Sequence, residues 1–299
     1  MVCDLVEIYS ERKVNRDEII PITLIKTLQI NRLERSVELD LTSFFQEEGV
    51  DVFSEVSLDA LSDEDRDAVV HFFPTAQSVI VFGREVPVPV YRMPPKEKTR
   101  EMVRIAEALD TTAIRLAALL KAEQVPARPV PLYLPVKMVN GRIQGVVRLK
   151  QVAAAGGLGS LGRNTVLLTP RFGPRLLLSG VVSGRRVQES RQVKSSAGRK
   201  EAPLCKGCGR CIRTCPAGAL GPEGVDAFRC RDVSAWVPPI LVPAAKWILG
   251  RSIVQKCMAP LAPWFARRAT MPCSLCVTGC PNFSGDEGKG QASPPQSPH

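Results

Sequence analysis

The spacing of apolar positions changes several times along this chain, and each change predicts a different element. Residues 77–86 form a compact apolar run that is β-branched in its first half, which predicts a buried strand. Residues 96–124 repeat apolar side chains at three- and four-residue steps, which predicts an amphipathic helix packed on the sheet. Residues 164–169 and 175–183 predict two more strands, joined by the turn P-R-F-G-P. The first part of the chain therefore reads as a mixed α/β domain.

The apolar pattern is interrupted at residues 188–203, a polar stretch that predicts a linker. We therefore expect an α/β domain over residues 1–190 and a smaller domain over residues 191–282, which gives an α+β chain. Residues 283–299 have almost no apolar side chains to bury, so a disordered tail is expected there.

No stretch of the chain is long and apolar enough to predict a transmembrane span. The nearest candidate, residues 237–250, contains three prolines and Lys246. We expect a helix over about residues 243–258 that packs on the protein through Trp247, Ile248 and Val254. Contact with a membrane surface is the alternative.

Charge is concentrated in one part of the chain, whose formal net charge is +10. Residues 124–188 contain no acidic residue and ten basic ones: Arg128, Lys137, Arg142, Arg148, Lys150, Arg163, Arg171, Arg175, Arg185 and Arg186. Such a segment favours an anionic partner, which includes a phosphate-bearing cofactor, a nucleic acid or an acidic redox protein. A solvated basic surface is the plainer interpretation.

The most specific chemical signal is a run of four cysteines closed by a proline. Cys205, Cys208, Cys211 and Cys215 precede Pro216 in the sequence C-K-G-C-G-R-C-I-R-T-C-P. This C-x2-C-x2-C-x3-C-P spacing is typical of bacterial ferredoxins, in which the first three cysteines bind one [4Fe–4S] cluster and the fourth binds another. The run therefore predicts two clusters.

A second, shorter run supplies most of the remaining ligands. Cys273, Cys276 and Cys280 precede Pro281 but lack a first cysteine, so the eighth ligand is Cys230 or Cys257. The crossed arrangement assigns Cys205, Cys208, Cys211 and Cys280 to one cluster, and Cys215, Cys273, Cys276 and the eighth ligand to the other. Structural zinc is the main alternative, although zinc knuckles need neither the third close cysteine nor the proline. No signal peptide is evident, so we expect reduced thiols in a reducing compartment. Exposed [4Fe–4S] clusters are sensitive to oxygen, so we expect the cytoplasm and an anaerobic metabolism.

A glycine-rich segment precedes the cysteine runs. Gly157, Gly159 and Gly162 have the G-x-G-x-x-G spacing, but a helix-like segment precedes them and a strand follows, the reverse of a dinucleotide-binding fold. We therefore exclude a nicotinamide or flavin site and expect that these glycines let the backbone approach something closely.

Together these motifs resemble the epoxyqueuosine reductase family, relatives of the corrinoid reductive dehalogenases. The resemblance extends over about residues 74–281 and includes G-L-G, Gly162, Asn164, L-L-T-P-x-F-G, V-D-A-F-R-C and both cysteine runs. It implies Cys230 as the eighth ligand and a cobalamin in the N-terminal domain, with Gly157, Gly159, Gly162 and Asn164 as cofactor-binding candidates. It also implies a low-potential donor such as a ferredoxin or flavodoxin, and tRNA as a candidate for the basic segment.

The chain departs from the family in the region that carries the proton donor. Family members resemble one another in having an acidic residue before the glycine segment, whereas residues 125–152 contain no carboxylate. Tyr133 is then the best candidate for a proton donor, because nearby cations can lower the pKa of a phenol. Three hypotheses remain: a reductase acting on a substrate with an oxygen or halogen leaving group, an electron-transfer protein, and a reductive activator of another corrinoid protein.

Overall fold

The computed structural model describes residues 39–140, 142–187, 204–221, 224–234, 237 and 239–284. Cys3, the predicted linker and nearly all of the predicted tail lie outside the described residues. The strands are β1 Val52–Ser57, β2 Ser78–Glu85, β3 Ala127–Pro129, β4 Val136–Val139, β5 Arg142–Gly145, β6 Ser160–Leu161, β7 Leu167–Leu168, β8 Leu176–Ser183, β9 Leu220–Gly221 and β10 Gly224–Val225. The α-helices are α1 Leu41–Glu47, α2 Asp63–Phe72, α3 Pro95–Ala122, α4 Leu149–Ala155, α5 Arg210–Arg213, α6 Arg231–Ser234, α7 Val242–Leu249, α8 Ser252–Met258, α9 Ala262–Arg268 and α10 Leu275–Thr278.

The core is a four-stranded antiparallel sheet in the order β1-β2-β8-β3. The central strand β2 is buried on both faces. Val79 and Val81 belong to a cluster that also contains Val152 of α4, whereas Phe82 stacks against Phe45 of α1 at 4.9 Å between ring centroids. A strand covered on both faces needs a near-continuous apolar sequence, as residues 79–82 provide. The α+β fold class predicted from the sequence is confirmed.

Several predicted elements correspond closely to observed ones. The strand expected over 77–86 is β2, and the helix expected over 96–124 is α3, whose residues Leu109, Ala113 and Leu116 are buried. Of the two strands expected after the glycine segment, only β8 is long. Strand β7 has two residues and pairs with β6, because the chain turns back at the Thr169–Gly173 bridge before it reaches the sheet.

The prediction of one helix over about 243–258 that packs through Trp247 is wrong in two respects. The chain breaks at Gly250 into α7 and α8 and continues through Pro260 into α9. Trp247, expected to pack on the protein, is 56% exposed. None of the helices in the described residues could cross a membrane.

Candidate iron–sulfur site

Three cysteines of the first run and the last cysteine of the second run line one cavity. Its lining includes Cys205, Cys208, Cys211 and Cys280, together with Asn164. Burial raises the pKa of the Cys280 thiol, and the charges of the other three cysteines raise it further. Burial and the charges of Cys205 and Cys208 act on Cys211 in the same direction. The structure therefore brings together the four cysteines that the spacing assigns to the first cluster.

A second set of cysteines surrounds Cys276. Burial raises the pKa of its thiol to about 11, and the charges of Cys230, Cys273 and Cys215 add to this effect. Cys257, the alternative eighth ligand, is exposed on α8 and is not among these neighbours. The crossed arrangement thus appears in the geometry, because Cys215 of the first run meets the second and Cys280 of the second run meets the first.

Backbone N–H groups stabilise the thiolate form of Cys215. Burial raises the pKa of this thiol, but the backbone N–H groups of residues 217–220 outweigh burial, so its pKa falls below the ordinary value. The amide of Ala219 donates to its Sγ atom over 3.3 Å. A thiolate that accepts several amide hydrogen bonds is stabilised in the form that binds metal.

In the described part of the chain, no three His, Cys, Asp or Glu side chains could hold a single metal ion. A [4Fe–4S] cube binds each thiolate at a different iron, so its ligands are spread more widely than those of one ion. None of the nine described cysteines takes part in a disulfide.

The first turn of α3 positions the second set. Thr99 accepts a hydrogen bond from the amide of Met271 over 2.7 Å, and Lys98 Nζ donates to Ser274 Oγ over 3.4 Å. Asp232 Oδ1 accepts from the amide of Cys273 over 2.8 Å. These contacts fix both sides of Cys273, and they place a buried cation, Lys98, beside this set of cysteines.

Two asparagines connect the cysteine segments to the rest of the structure. Buried Asn164 donates from Nδ2 to the carbonyl oxygen of Cys276 over 3.0 Å. Asn282 donates to the carbonyl oxygen of Leu204, next to Cys205, over 2.8 Å. The glycine segment is therefore connected to the second set, and the chain after Cys280 to the first.

The glycines that were cofactor-binding candidates are close to the chain itself. A Cβ atom at Gly159 would lie 2.0 Å from the carbonyl oxygen of Leu168, and one at Gly162 would lie 2.4 Å from Asn164 Oδ1. Gly162 and Asn164 line the cavity of the first set. Gly157 has a φ of 76° and is exposed. The backbone that approaches Gly159 closely is therefore that of Leu168 in strand β7.

Tyr133, the candidate proton donor, lies between β3 and β4. Its hydroxyl is buried. Arg267 of α9 lies close enough that the charge of Tyr133 contributes to raising its pKa, although the larger cause is its ion pair with Glu107 at 2.9 Å. Sequence reasoning missed another phenol, Tyr91. Burial raises the pKa of Tyr91 and the charge of Cys276 raises it further, so this phenol remains protonated beside the second set. Nothing in the sequence around Tyr91 indicated this position.

Much of the positive charge in residues 124–188 is neutralised within the fold. Arg148 pairs with Asp65 at 2.6 Å, Arg185 pairs with Glu55 at 2.8 Å, and buried Arg175 pairs with Glu85. Arg128 stacks on the ring of Phe72 at 4.4 Å. Arg163, which lines the first cavity, and Arg171 are exposed. The basic surface is therefore smaller than the sequence suggests.

No family model matches the chain. Curated relatives named epoxyqueuosine reductase do match. The protein from Listeria monocytogenes is 30% identical over 73 residues, 24% of this chain and 17% of the relative. The proteins from Synechococcus and Gloeobacter violaceus are each 28% identical over 38% of this chain and over 34% and 35% of their own lengths. The matches thus span about a third or less of these relatives.

Solved structures give weaker likenesses. An epoxyqueuosine reductase from Bacillus subtilis is 16% identical, with a TM-score of 0.48 over 89% of this chain and 67% of that one. An epoxyqueuosine reductase with a tRNA stem loop is 15% identical, with a TM-score of 0.45 over the same shares. A reductive dehalogenase is 15% identical, with a TM-score of 0.45 over 83% and 32%. These scores do not by themselves establish a shared fold. The curated matches nevertheless confirm the resemblance predicted from the motifs, and the chain is related in sequence to the epoxyqueuosine reductases.

Proposed function

We propose that this chain is an iron–sulfur oxidoreductase resembling epoxyqueuosine reductase, with two [4Fe–4S] clusters that pass electrons to a reducible substrate or cofactor. One observation carries the proposal: the last cysteine of each C-P run lies among the cysteines of the other run. Cys280 lies with Cys205, Cys208 and Cys211, and Cys215 lies near Cys276. Two interleaved sets of four thiolates are what a two-cluster ferredoxin requires.

The described residues fit two such clusters. The first set would hold its cluster through Cys205, Cys208, Cys211 and Cys280, and the second through Cys215, Cys230, Cys273 and Cys276. A bound [4Fe–4S] cluster supplies one-electron chemistry at a potential set by charge, hydrogen bonds and exposure. The chain contributes positive charge at both sites, from Arg163 at the first and Lys98 at the second. Cations beside a cluster favour its reduced, more negative state.

The electron donor that we propose is a low-potential ferredoxin or flavodoxin in a reducing cytoplasm. Thiols remain reduced and clusters persist in such a compartment. Both proteins are commonly acidic, so exposed basic residues such as Arg163 and Arg171 suit their approach.

Cobalamin follows only from the family resemblance. The cavity beside Asn164 and Gly162 is lined by Cys205, Cys208, Cys211 and Cys280, four thiols that suit an iron–sulfur cluster rather than a corrin ring. The electron-transfer proposal is therefore independent of cobalamin. Retention of cobalt after incubation with hydroxocobalamin and desalting would show that another surface of the chain binds a corrinoid.

A second candidate is an electron-transfer protein or reductive activator without its own catalytic site. The observation that favours it is the absence of carboxylates from residues 125–152, where the resembling enzymes carry their proton donor. Tyr133 would have to replace that donor. An anionic substrate such as tRNA, present in one structural neighbour, is a proposal for the reductase only.

The test is anaerobic reconstitution with iron and sulfide, followed by metal analysis and electron paramagnetic resonance of the reduced protein. We expect about eight irons per chain. Cys208→Ser and Cys230→Ser should each lower this to about four by removing a ligand from different clusters. Cys257→Ser is the matched control and should keep all eight. Tetrahedral zinc instead of iron, or iron loss in Cys257→Ser but not in Cys230→Ser, would refute the ligand assignment. Reduction of epoxyqueuosine-containing tRNA by the loaded chain would separate the reductase from the second candidate.

A further inference from the structure

An apolar segment with several exposed side chains lies between two cysteines of the second set along the chain. This segment, here called the insert, consists of residues 237–268 and contains α7, α8 and α9. Large apolar side chains are exposed along it, with Ile240 at 84% and Ile253 at 76%. Leu241, Trp247, Leu261 and Trp264 are each more than half exposed. A group of large apolar side chains exposed along one segment indicates an interaction surface.

The insert is fixed to the body at its inner side. Buried Gln255 bonds to both backbone groups of Val136 in β4, accepting from its amide over 2.6 Å and donating to its carbonyl over 3.0 Å. Arg267 pairs with Glu107 of α3 at 2.9 Å. These contacts hold the insert in place while its apolar side chains remain exposed in the described part of the chain.

Charge on the insert has a single sign. Residues 233–285 contain no Asp or Glu, whereas the insert contains Lys246, Arg251, Lys256, Arg267 and Arg268. Two of these cations stack on its tryptophans, Arg251 over Trp247 at 4.0 Å and Arg268 over Trp264 at 3.8 Å. Tryptophan beside Arg or Lys is typical of the headgroup region of a bilayer, where apolar side chains enter the acyl boundary and cations meet lipid phosphates.

We propose that the insert docks the chain on an anionic membrane surface, with its short helices in the interface. The insert contains five cations and no acid beside its exposed apolar side chains, and this combination is attracted to an anionic lipid surface. Along the chain, the insert lies between Cys230 and Cys273, two cysteines of the second set.

The test uses the full chain with vesicles of phosphatidylcholine alone or mixed with phosphatidylglycerol. All three tryptophans, Trp236, Trp247 and Trp264, lie in or next to the insert, so their emission reports on it. We expect co-sedimentation and a blue shift with anionic vesicles, both reduced by salt. The double variant Arg251→Gln/Lys256→Gln should weaken binding about 25-fold, at about fivefold per cation. Ile253→Ser should weaken it about tenfold or more.

The matched control is Ile114→Ser, which removes an apolar side chain that is 45% exposed on α3, outside the insert. It should leave vesicle binding unchanged. Vesicle binding by the Cys208→Ser variant should be unchanged, which separates membrane docking from cluster assembly. Thermal melts show whether each variant folds. The proposal would be overturned by no binding to anionic vesicles, by binding insensitive to Ile253→Ser, or by a tryptophan shift that depends on protein concentration without lipid. The last outcome would assign the surface to a second copy of the chain. Shielding of the insert by an acidic redox protein, but not by lipid, would also overturn it.

Discussion

The side chain of Asn164 joins the glycine segment to the second cysteine set, because its Nδ2 donates to the carbonyl oxygen of Cys276 over 3.0 Å. Its Oδ1 also accepts from the amide of Val166 over 3.3 Å. A buried amide that satisfies two backbone groups holds their spacing, and its loss leaves both groups without that partner. This contact explains the asparagine after the glycines, although Cys276 lies 112 residues further along the chain.

Replacing Asn164 should therefore disturb the second site more than the first. We expect Asn164→Ala to lower the free energy of unfolding by about 1 to 3 kcal/mol and to weaken iron loading at the second set. Asn282→Ala provides the comparison, since Asn282 holds Leu204 beside Cys205 and should affect the first set. Denaturant titration and cluster-resolved electron paramagnetic resonance would measure both effects. Equal loss of both clusters in Asn164→Ala would contradict the assigned role.

Gly173 marks another contact on which the first set depends. Its φ is 55°, and a Cβ atom there would lie 1.7 Å from the carbonyl oxygen of Asn282. Nearby, Arg175 donates to the carbonyl oxygen of Phe283 over 2.6 Å. The turn before β8 therefore fits closely against the chain just after Cys280.

Gly173→Ala should displace that chain and destabilise the protein by about 2 to 4 kcal/mol, with loss of iron from the first set. Gly221→Ala is the matched control, since a Cβ atom at Gly221 meets no atom within 4 Å. Thermal melting and iron analysis would report the difference. Equal melting temperatures for the two variants would show that the turn at Gly173 accommodates a Cβ atom without loss of stability, which would contradict the prediction.

Asp110 on α3 makes stability depend on pH. Burial, and then the charge of Glu107, raise the pKa of this carboxyl from 3.8 to about 6. Because the folded-state pKa is the higher one, Asp110 favours the folded state fully below about pH 4 and loses this contribution as the pH rises through 6.

Asp110→Asn, which remains neutral, should raise the melting temperature near pH 7 by a few degrees and change it little near pH 4. Asp67→Asn, at an exposed position of α2, is the control and should give the same small shift at both pH values. An Asp110→Asn effect that is larger at the lower pH would reverse the argument.

The sequence was sufficient where one chemical demand sets the spacing of residues. The two cysteine runs predict seven of the eight cysteines that meet, and the structure brings these together with Cys230, which the spacing had left open against Cys257. The apolar runs at β2 and α3 predicted those elements because burial on both faces or on one face leaves a distinct period.

Other features depend on contacts between residues far apart in the chain. The basic segment looked like one anion-binding surface, but Asp65, Glu85 and Glu55 neutralise three of its arginines. Those acids precede the segment by many residues, and no local pattern indicates the pairing. Likewise, Lys98 lies among polar residues in the first turn of α3, so the sequence pattern does not predict that its side chain is buried.

That buried cation provides the last prediction, which concerns the redox potential of the second cluster. Lys98 is 4% exposed, and its Nζ donates to Ser274, which lies between Cys273 and Cys276 of the second set. A positive charge in a poorly solvated site stabilises the added electron, so Lys98→Met should lower the midpoint potential of this cluster by on the order of 50 mV. Lys96→Met, two residues away and exposed, keeps the substitution but lacks the burial, and should leave both potentials unchanged. A redox titration followed by electron paramagnetic resonance resolves the two clusters. If Lys98→Met shifted only the first cluster, or shifted the second to a higher potential, the placement of Lys98 beside the second set would be wrong.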